Sequence, residues 1–509
     1  MSEALALARP FGTLPELVRA HAAARPAQAA IVDGERRINY AQLDARMDRI
    51  AAGLQRQGLV PGDRLALCGD NSLDYAVAFL GALRAGVVAA LIPPRLAPGA
   101  IDAMVADSGA KVALRGAAIA APPEDPAPPA PVQAAPEAGF NIIYSSGTTG
   151  APKGIVQPNS MRWVHMQRAL AYGYGPESVT LLSTPLYSNT TLVSFFPALA
   201  MGGTVVLMAK FDPETYLANF QRHRVTHTML VPVQYQRLMA FEGFGRYDLA
   251  STRMKLSTSA PFRAPLKEQV LERWPGGLVE YYGMTEGGAT CVLAAHVDRH
   301  KLHTVGRPGA GVEVRLIDEE GREVAPGAAG EIVGRSGAMM TGYHNRPRET
   351  AEAEWHDAAG RRFIRTGDVG RLDEDGFLVL VDRRKDVIIS GGFNIYPSDL
   401  EAVLRGHPGV RDVAVAGVPS ERWGETPVAF VVAAPGTEAE ALRAWANERV
   451  GNVQRLAAVE LVDELPRSAI GKVLKRELRD AYLREITSPP SRRLRWSAAA
   501  LLPRAEARR

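Results

Sequence analysis

The chain has 509 residues, 46% hydrophobic and 22% charged. That balance is ordinary for a globular enzyme, and the length is too great for one hydrophobic core, so at least two domains are expected. Its formal charge of +4 is concentrated at the end: residues 487–509 hold six arginines against Glu506, a sum of +5 that leaves the rest at −1, and this argues against a nucleic-acid-binding core.

Cys68 and Cys291 are the only cysteines, far apart and without a C-x-x-C, which disfavours a disulfide framework or a zinc site and leaves two buried thiols as the reading. Met1–Pro10 lacks the charge order and apolar run of a secretory signal. The longest apolar stretch, Tyr75–Pro93, is broken by Arg84 and Gly86 and reads as a buried helix passing into a strand. A cytoplasmic protein without a membrane span is expected.

In chain order, Leu43, Met47, Ile50 and Leu54 recur at helical spacing, with Gly58 placed to end the helix. The turn Val60–Asp63 then leads into a strand at Arg64–Cys68, a helix at Tyr75–Arg84 and a strand at Val87–Ile92. Such alternation predicts a layered α/β domain with mainly parallel sheets. Residues 117–138, rich in Pro and Ala, read as a surface linker between two halves of that domain. A second α/β layer follows at 180–207, with a buried strand at Val205–Leu207, and the Val/Ile runs between Gly306 and Gly342 predict a small β subdomain. Past Asp382 the pattern becomes that of a small α+β domain, with Tyr396-Pro397-Ser398 as the N-cap of a helix at Asp399–Arg405, strands at Val410–Val418 and Pro427–Ala433, and a helix near Glu438–Val450. The expected domains are 1–382, 383–486 and a basic, disordered tail at 487–509.

Chemistry concentrates in the segment Tyr144–Gly154. Gly147, Gly150 and Gly154 let backbone N–H groups approach phosphate oxygens, Ser145, Ser146, Thr148 and Thr149 offer hydroxyls, and Lys153 supplies positive charge. Its spacing is not that of a P-loop, because Gly154 rather than Ser or Thr follows the lysine. Four further motifs come after it: Tyr281-Tyr282-Gly283-Met284-Thr285-Glu286-Gly287-Gly288, Arg365-Thr366-Gly367-Asp368, Asp382-Arg383-Arg384-Lys385-Asp386 running into Ser390-Gly391-Gly392, and Pro466-Arg467-Ser468-Ala469-Ile470-Gly471-Lys472.

In this order and at these intervals the five motifs resemble the adenylate-forming superfamily of acyl-CoA synthetases, peptide-synthetase adenylation domains and firefly-type luciferases, over about residues 12–485. The resemblance implies a two-step reaction, in which a carboxylate attacks the α-phosphate of Mg-ATP to give acyl-adenylate and pyrophosphate, and CoA then takes the acyl group. Both steps move negative charge on oxygen, so positioning and electrostatics carry them rather than a protein nucleophile. Glu286, beside Thr285, is expected to hold Mg²⁺. Tyr282 is expected to stack on adenine, with Ser259, Ala260 and Pro261 along its edge, and Asp368 and Arg383 to serve the ribose. Lys472 corresponds to the family's mobile catalytic lysine, Lys385 to its hinge, and Gly391 and Gly392 to the loop lining the pantetheine tunnel.

For the acyl pocket, Ser188 stands where relatives often carry a histidine. The expected walls are Tyr187, Asn189, Thr190, Val193, Ser257, Tyr281, Gly283, Met284 and Ala289. They carry no formal charge, which favours an apolar fatty or aryl-alkanoic acid. No aspartate stands near Tyr187 to meet an amino acid's ammonium. The readings are therefore an acyl-CoA or aryl-CoA ligase, a stand-alone acyl-AMP ligase that loads a carrier protein, or a non-catalytic nucleotide-binding protein. A homo-oligomer is left open.

Overall fold

The computed structural model describes residues 6–145, 153–383, 386–390, 393–420, 423–468 and 471–486, without the side chains of 145, 383, 393, 394, 453 and 486. The chain folds into two compact units, Met1–Arg315 with Val333–Thr366 and Glu374–Leu378, and Leu316–Ile332 with Gly367–Asp373 and Val379–Arg509.

The first unit is a stack of helix and sheet layers whose order follows from period-two alternation along its strands. A nine-stranded sheet runs Arg307–Pro308, Cys291–Ala294, Gly277–Tyr282, Met254–Ser257, His227–Leu230, Val179–Leu182, Thr204–Leu207, Ala29–Asp33, Arg36–Asn39. Its central strands are parallel and its edges antiparallel. A six-stranded sheet runs Gly342–Tyr343, Lys153–Pro158, Gly139–Ser145, Val88–Ile92, Arg64–Cys68, Val112–Arg115. Leu65, Leu67, Ala89 and Leu91 from this sheet and Val205, Leu207, Leu182 and Met229 from the larger one face a shared core that holds the helices Tyr40–Arg56, Leu73–Arg84 and Asn189–Ala200. The alternate residues Ala66, Cys68, Val88 and Ala90 pack outward on the helix Pro98–Ser108, and Leu181, Val206 and Leu230 pack on the helices Pro213–Arg222, Pro232–Ala240 and Ala264–Arg273. Burying both faces of the sheets explains why the strands read as unbroken apolar runs.

Residues 117–138 depart from the linker reading. They lie along the helix Tyr40–Arg56: Glu124 accepts from Arg46 and Arg49, the Asp125 amide donates to the Arg49 carbonyl, and Gln55 exchanges hydrogen bonds with the backbone of Ala130. The approach is so close that a Cβ on Gly53 would stand 2.4 Å from the Pro123 carbonyl oxygen. Proline-rich composition marks a segment that builds no ladder of its own, and it is silent on whether that segment docks elsewhere.

The β-rich stretch is also divided differently. Arg307–Pro308 and Gly342–Tyr343 extend edges of the two large sheets, through Cys291 and Ile155 respectively. A separate five-stranded sheet is made of Glu313–Ile317, Gly330–Arg335, Arg362–Leu372 and Glu354–His356 in that order, with Leu378–Arg383 paired to Arg362–Leu372.

In the second unit, a sheet ordered Phe393–Ile395, Ile388–Ser390, Gly424–Ala433, Val410–Ser420, with Ala458–Leu461 also paired to Gly424–Ala433, is covered on both faces. Val413 and Val415 meet the helices Pro397–Arg405 and Ala439–Asn447, while Ala414 and Ala416 meet Leu478 and Tyr482 of the helix Lys475–Ile486. Of the three residues expected at the cap, Tyr396 takes that place: the helix starts two residues earlier than expected, at Pro397, and the Ser398 hydroxyl donates to the Val381 carbonyl while its amide donates to Asp382. Proline at the first helical position needs no donor and has a helical φ.

Candidate active site

Within the first unit, the strands Gly139–Ser145 and Lys153–Pro158 form an antiparallel pair that places Ser145 opposite Lys153. The connecting residues Ser146, Gly147, Thr148, Thr149 and Gly150, and the Ser145 side chain, lie outside the described residues. So do Lys385, Gly391, Gly392, the Arg383 side chain and the tail 487–509.

Lys153 holds its ammonium 5.0 Å from the centre of the Tyr343 ring, and the Tyr343 hydroxyl donates to Glu286 Oε1 at 2.8 Å. Burial, with the Glu286 carboxylate second, raises the Tyr343 phenol far above its ordinary range, so it remains a donor. The backbone fixes the same geometry, because the Met340 amide donates to the Glu286 carbonyl and the Gly288 amide to the Ala338 carbonyl. Gly287 has φ 78°, and a Cβ there would lie 2.0 Å from the Ala338 oxygen, so only glycine fits. Glu286 is thus a buried carboxylate held by a phenol whose ring faces a lysine ammonium, as suits one protein ligand of a Mg²⁺ whose other ligands are phosphate and water. Among the described residues no group of three or more His, Cys, Asp or Glu could hold a metal ion on its own.

A second cluster joins the segments around this carboxylate. Gln157 donates to the Thr285 carbonyl at 2.7 Å and to Asn189 Oδ1 at 3.3 Å. Arg162 donates to Asn189 Oδ1 and Asn141 Oδ1, each at 2.9 Å, and to Gln157 Oε1. Its guanidinium is fully buried against Phe196 and Phe140, and burial pushes its pKa down to about 9. Sequence reading missed Arg162, Gln157 and Asn141. Their spacing in a short strand and helix carries no motif.

Ser188 caps the helix Asn189–Ala200, its hydroxyl accepting from the Thr190 amide. Thr190 in turn shares a short hydroxyl–hydroxyl hydrogen bond with Ser259, which sits at φ 81°. The segment expected along adenine is thereby tied to the helix expected to line the acyl pocket; Ala260 is half-buried and Pro261 exposed beside Ser259. Tyr282 is buried, and Tyr281, half-buried on the preceding residue, points to the opposite face of its strand and meets Tyr172 edge to face at 5.7 Å between ring centres. Tyr187 and Val193 pack, half-covered, on the same core, whereas Met284 packs toward Ile155, Met340 and Ile364. Gly283 is exposed, and an added Cβ would meet the Ala289 oxygen at 3.1 Å. Ser257 Oγ is buried and has no hydrogen-bond partner among the described residues. Near these walls lies a charge absent from the sequence reading, since the Arg168 guanidinium acts electrostatically on both Tyr281 and Tyr172.

In the second unit, Asp368 is half-buried on the strand Arg362–Leu372, one residue past Gly367 at φ 69°. Lys472 follows Gly471, at φ 77°, on a turn closed by hydrogen bonds from the Ser468 amide to the Lys472 carbonyl and from the Lys472 amide to the Ser468 hydroxyl. Arg467 braces the turn by donating to the Gly471 carbonyl and, at 2.5 Å, to Asp412. No described helix is long and apolar enough to cross a membrane.

Residues 18–344 match the AMP-binding enzyme family and residues 399–472 the AMP-binding enzyme C-terminal domain. A feruloyl-CoA synthase from Amycolatopsis sp is 36% identical over 90% of this chain and 96% of its own length. A fatty acid–acyl-carrier-protein ligase from Streptomyces coeruleorubidus is 32% identical over 92% of this chain and 96% of its own. Among solved structures, the o-succinylbenzoate CoA synthetase of Bacillus subtilis in complex with its acyl-adenylate intermediate superposes with a TM-score of 0.81 at 27% identity, covering 92% of this chain and 98% of that one. With two family domains in order and relatives matched over nearly their whole length, the chain belongs to the adenylate-forming AMP-binding enzymes, within their AMP-forming acid–CoA ligases.

Proposed function

We infer that the protein converts an acid with an apolar or aryl body to its CoA thioester. A carboxylate oxygen attacks the α-phosphorus of ATP, the bond to pyrophosphate breaks, and the CoA thiol then displaces AMP from the acyl carbon, leaving its proton to solvent. The observation that carries this reading is the Lys153–Tyr343–Glu286 arrangement, which sets a buried carboxylate beside the strand pair whose connection holds the Gly/Ser/Thr motif. Glu286 would hold Mg²⁺, which when bound neutralises the phosphates, and Gln157, by holding the Thr285 carbonyl, would fix the turn that presents it. Tyr282, Ser259, Ala260, Pro261, Asp368 and Arg383 are proposed to hold the nucleotide, Lys472 to meet charge on the α-phosphate, Lys385 to act as pivot between the half-reactions, and Gly391 and Gly392 to admit pantetheine. Tyr187, Ser188, Asn189, Val193, Tyr281, Gly283 and Met284 are proposed around the acid.

The test is pyrophosphate release across a panel of carboxylic acids, with CoA, with a holo carrier protein, and with neither. Pyrophosphate with an aryl or fatty acid and thioester with CoA support the reading. Thioester on the carrier alone favours the loading reaction, which the likeness to the Streptomyces carrier-protein ligase keeps in view. No pyrophosphate from any acid overturns both.

A further inference from the structure

Between the strand Met254–Ser257 and the buried Phe262 the chain turns at Ser259, which stands at φ 81°. A residue with a Cβ resists that region of backbone space and stays in it only where its surroundings hold it there. Both ends of the segment are fixed. Met254–Ser257 lies between the parallel strands His227–Leu230 and Gly277–Tyr282. Phe262 stacks on Tyr235 with ring centres 5.1 Å apart, and the Lys267 ammonium, paired with Glu280 at 2.5 Å, stands 5.9 Å from the centre of the Phe262 ring.

At the turn itself the hold comes from a side chain 69 positions away: Ser259 Oγ shares a hydrogen bond with Thr190 Oγ1. Thr190 is buried in the first turn of the helix Asn189–Ala200, where its amide donates to Ser188 Oγ. The next residue is fixed too, since the Thr191 hydroxyl donates to the Pro185 carbonyl at 2.6 Å. A β-branched side chain has few χ1 states, so Thr190 offers its hydroxyl from a defined place. Glycine at 259 would adopt φ 81° unaided, whereas serine needs a partner to stay there.

We propose that Thr190 is a positioning residue for the nucleotide: through Ser259 it holds the backbone of residues 259–261 in the conformation that meets adenine. This rests on the nucleotide placement within the acid–CoA ligase reading, and it carries ATP binding onto a helix otherwise assigned to the acid. Thr190 thereby differs from Asn189 and Val193 of the same helix, which are proposed around the acid. Without the Thr190 hydroxyl, Ser259 relaxes toward negative φ and the segment turns away from the nucleotide, while the walls around the acid keep their shape. The loss is then read in the affinity for ATP and AMP, and far less in KM for the acid.

The experiment titrates the full-length protein with Mg-ATP and with AMP by calorimetry, and measures KM by pyrophosphate release for whichever of cinnamic and octanoic acid it turns over. The variants are Thr190→Val, Thr190→Ser, Ser259→Ala, Ser259→Gly and the double variant Thr190→Val/Ser259→Gly. Thr190→Val and Ser259→Ala are each expected to raise Kd for both nucleotides roughly tenfold, the scale of a lost hydrogen bond with a relaxed turn, and to change KM for the acid much less. Thr190→Ser, which keeps the hydroxyl, is expected to bind more tightly than Thr190→Val. Ser259→Gly removes hydroxyl and strain together, and is expected to bind about threefold or more tighter than Ser259→Ala. Adding Thr190→Val to Ser259→Gly is expected to change Kd less than about twofold, because the partner is already gone. The proposal is overturned if Ser259→Gly binds as weakly as Ser259→Ala, if the two changes add in the double variant, or if Thr190→Val raises KM for the acid and leaves both nucleotide affinities untouched. The comparison at 259 supplies the answer if Thr190→Val does not fold. The expected Kd pattern without pyrophosphate from any acid supports the role of Thr190 and overturns the ligase reading alone. No binding of ATP or AMP by the unmodified protein overturns both.

Discussion

The hydroxyl of Tyr343 donates to Glu286 at 2.8 Å while the face of the same ring receives the Lys153 ammonium at 5.0 Å, so one aromatic residue couples a cation to a carboxylate 133 positions away in sequence from that lysine. Tyr343→Phe keeps the ring and deletes only the donor. With Glu286 as the Mg²⁺ ligand, the loss of one charge-assisted hydrogen bond, about 1–2 kcal/mol, is expected to slow acyl-adenylate formation about tenfold and to alter its Mg²⁺ dependence. Pyrophosphate release titrated with Mg²⁺ checks this, and an unchanged curve would remove Tyr343 from the site.

With Lys472 in the role proposed for it, Lys472→Ala takes a cation from the first half-reaction. Formation of acyl-AMP is expected to fall roughly 10²- to 10³-fold, the scale for loss of a well-placed donor, while thioester formation from supplied acyl-AMP largely persists. Single-turnover assays of each half-reaction provide the measurement, and equal losses in both would refute the first-step role.

Arg162→Met is expected to strip the donor from amide oxygens of Asn141, Gln157 and Asn189 at once. Leaving several buried acceptors short of a donor costs about 2–4 kcal/mol, so the thermal midpoint drops by several degrees. Because Asn189 also loses its anchor, KM for the acid is expected to rise more than KM for ATP. A stable variant with both KM values unchanged would show that the cluster is dispensable.

Acid sensitivity follows from His227, whose pKa is lowered to about 4 by burial, which outweighs the opposing hydrogen bond to the Tyr172 carbonyl and is reinforced to a lesser degree by Arg253. Between pH 6.5 and 4 the unfolded chain binds a proton at this position that the folded one refuses, so stability falls as pH falls through that window and levels off below it. The effect is about 3 kcal/mol at its limit. His165, buried beside Arg162 and also pushed well below its usual range, adds in the same direction. His227→Gln is expected to flatten part of the decline in thermal midpoint from pH 7 to pH 4, and a slope identical to that of the parent would exclude His227 as a source.

The layered α/β architecture was legible because it rests on local alternation: Leu65 and Leu67 against Ala66 and Cys68 already assign two faces to one strand, and both cysteines are buried and free as read. Contacts that cross the sequence were not. Residues 117–138 bond to a helix some 75 positions earlier, and Gln157 reaches Thr285 across 128. Arg162 stands in no motif, and burial of a guanidinium depends on what covers it rather than on its neighbours in the chain. Ser188 was marked for its place in the acid-pocket segment, and its hydroxyl is occupied in starting a helix.

Arg467 spans the Gly471 carbonyl and Asp412, and Asp412 belongs to the long strand Val410–Ser420 at one edge of the sheet in the second unit. Lys472 is therefore mounted on that sheet like the tip of a rigid lever. For the role proposed for Lys472, a turn held only by its own backbone would have to search for its working position anew in each cycle, losing conformational freedom at the moment of reaction. With the brace in place that loss is settled during folding, and the turn that carries the ammonium stays fixed to its sheet. Weakening the brace, as in Asp412→Ala, would blur the aim of the lysine without touching its charge.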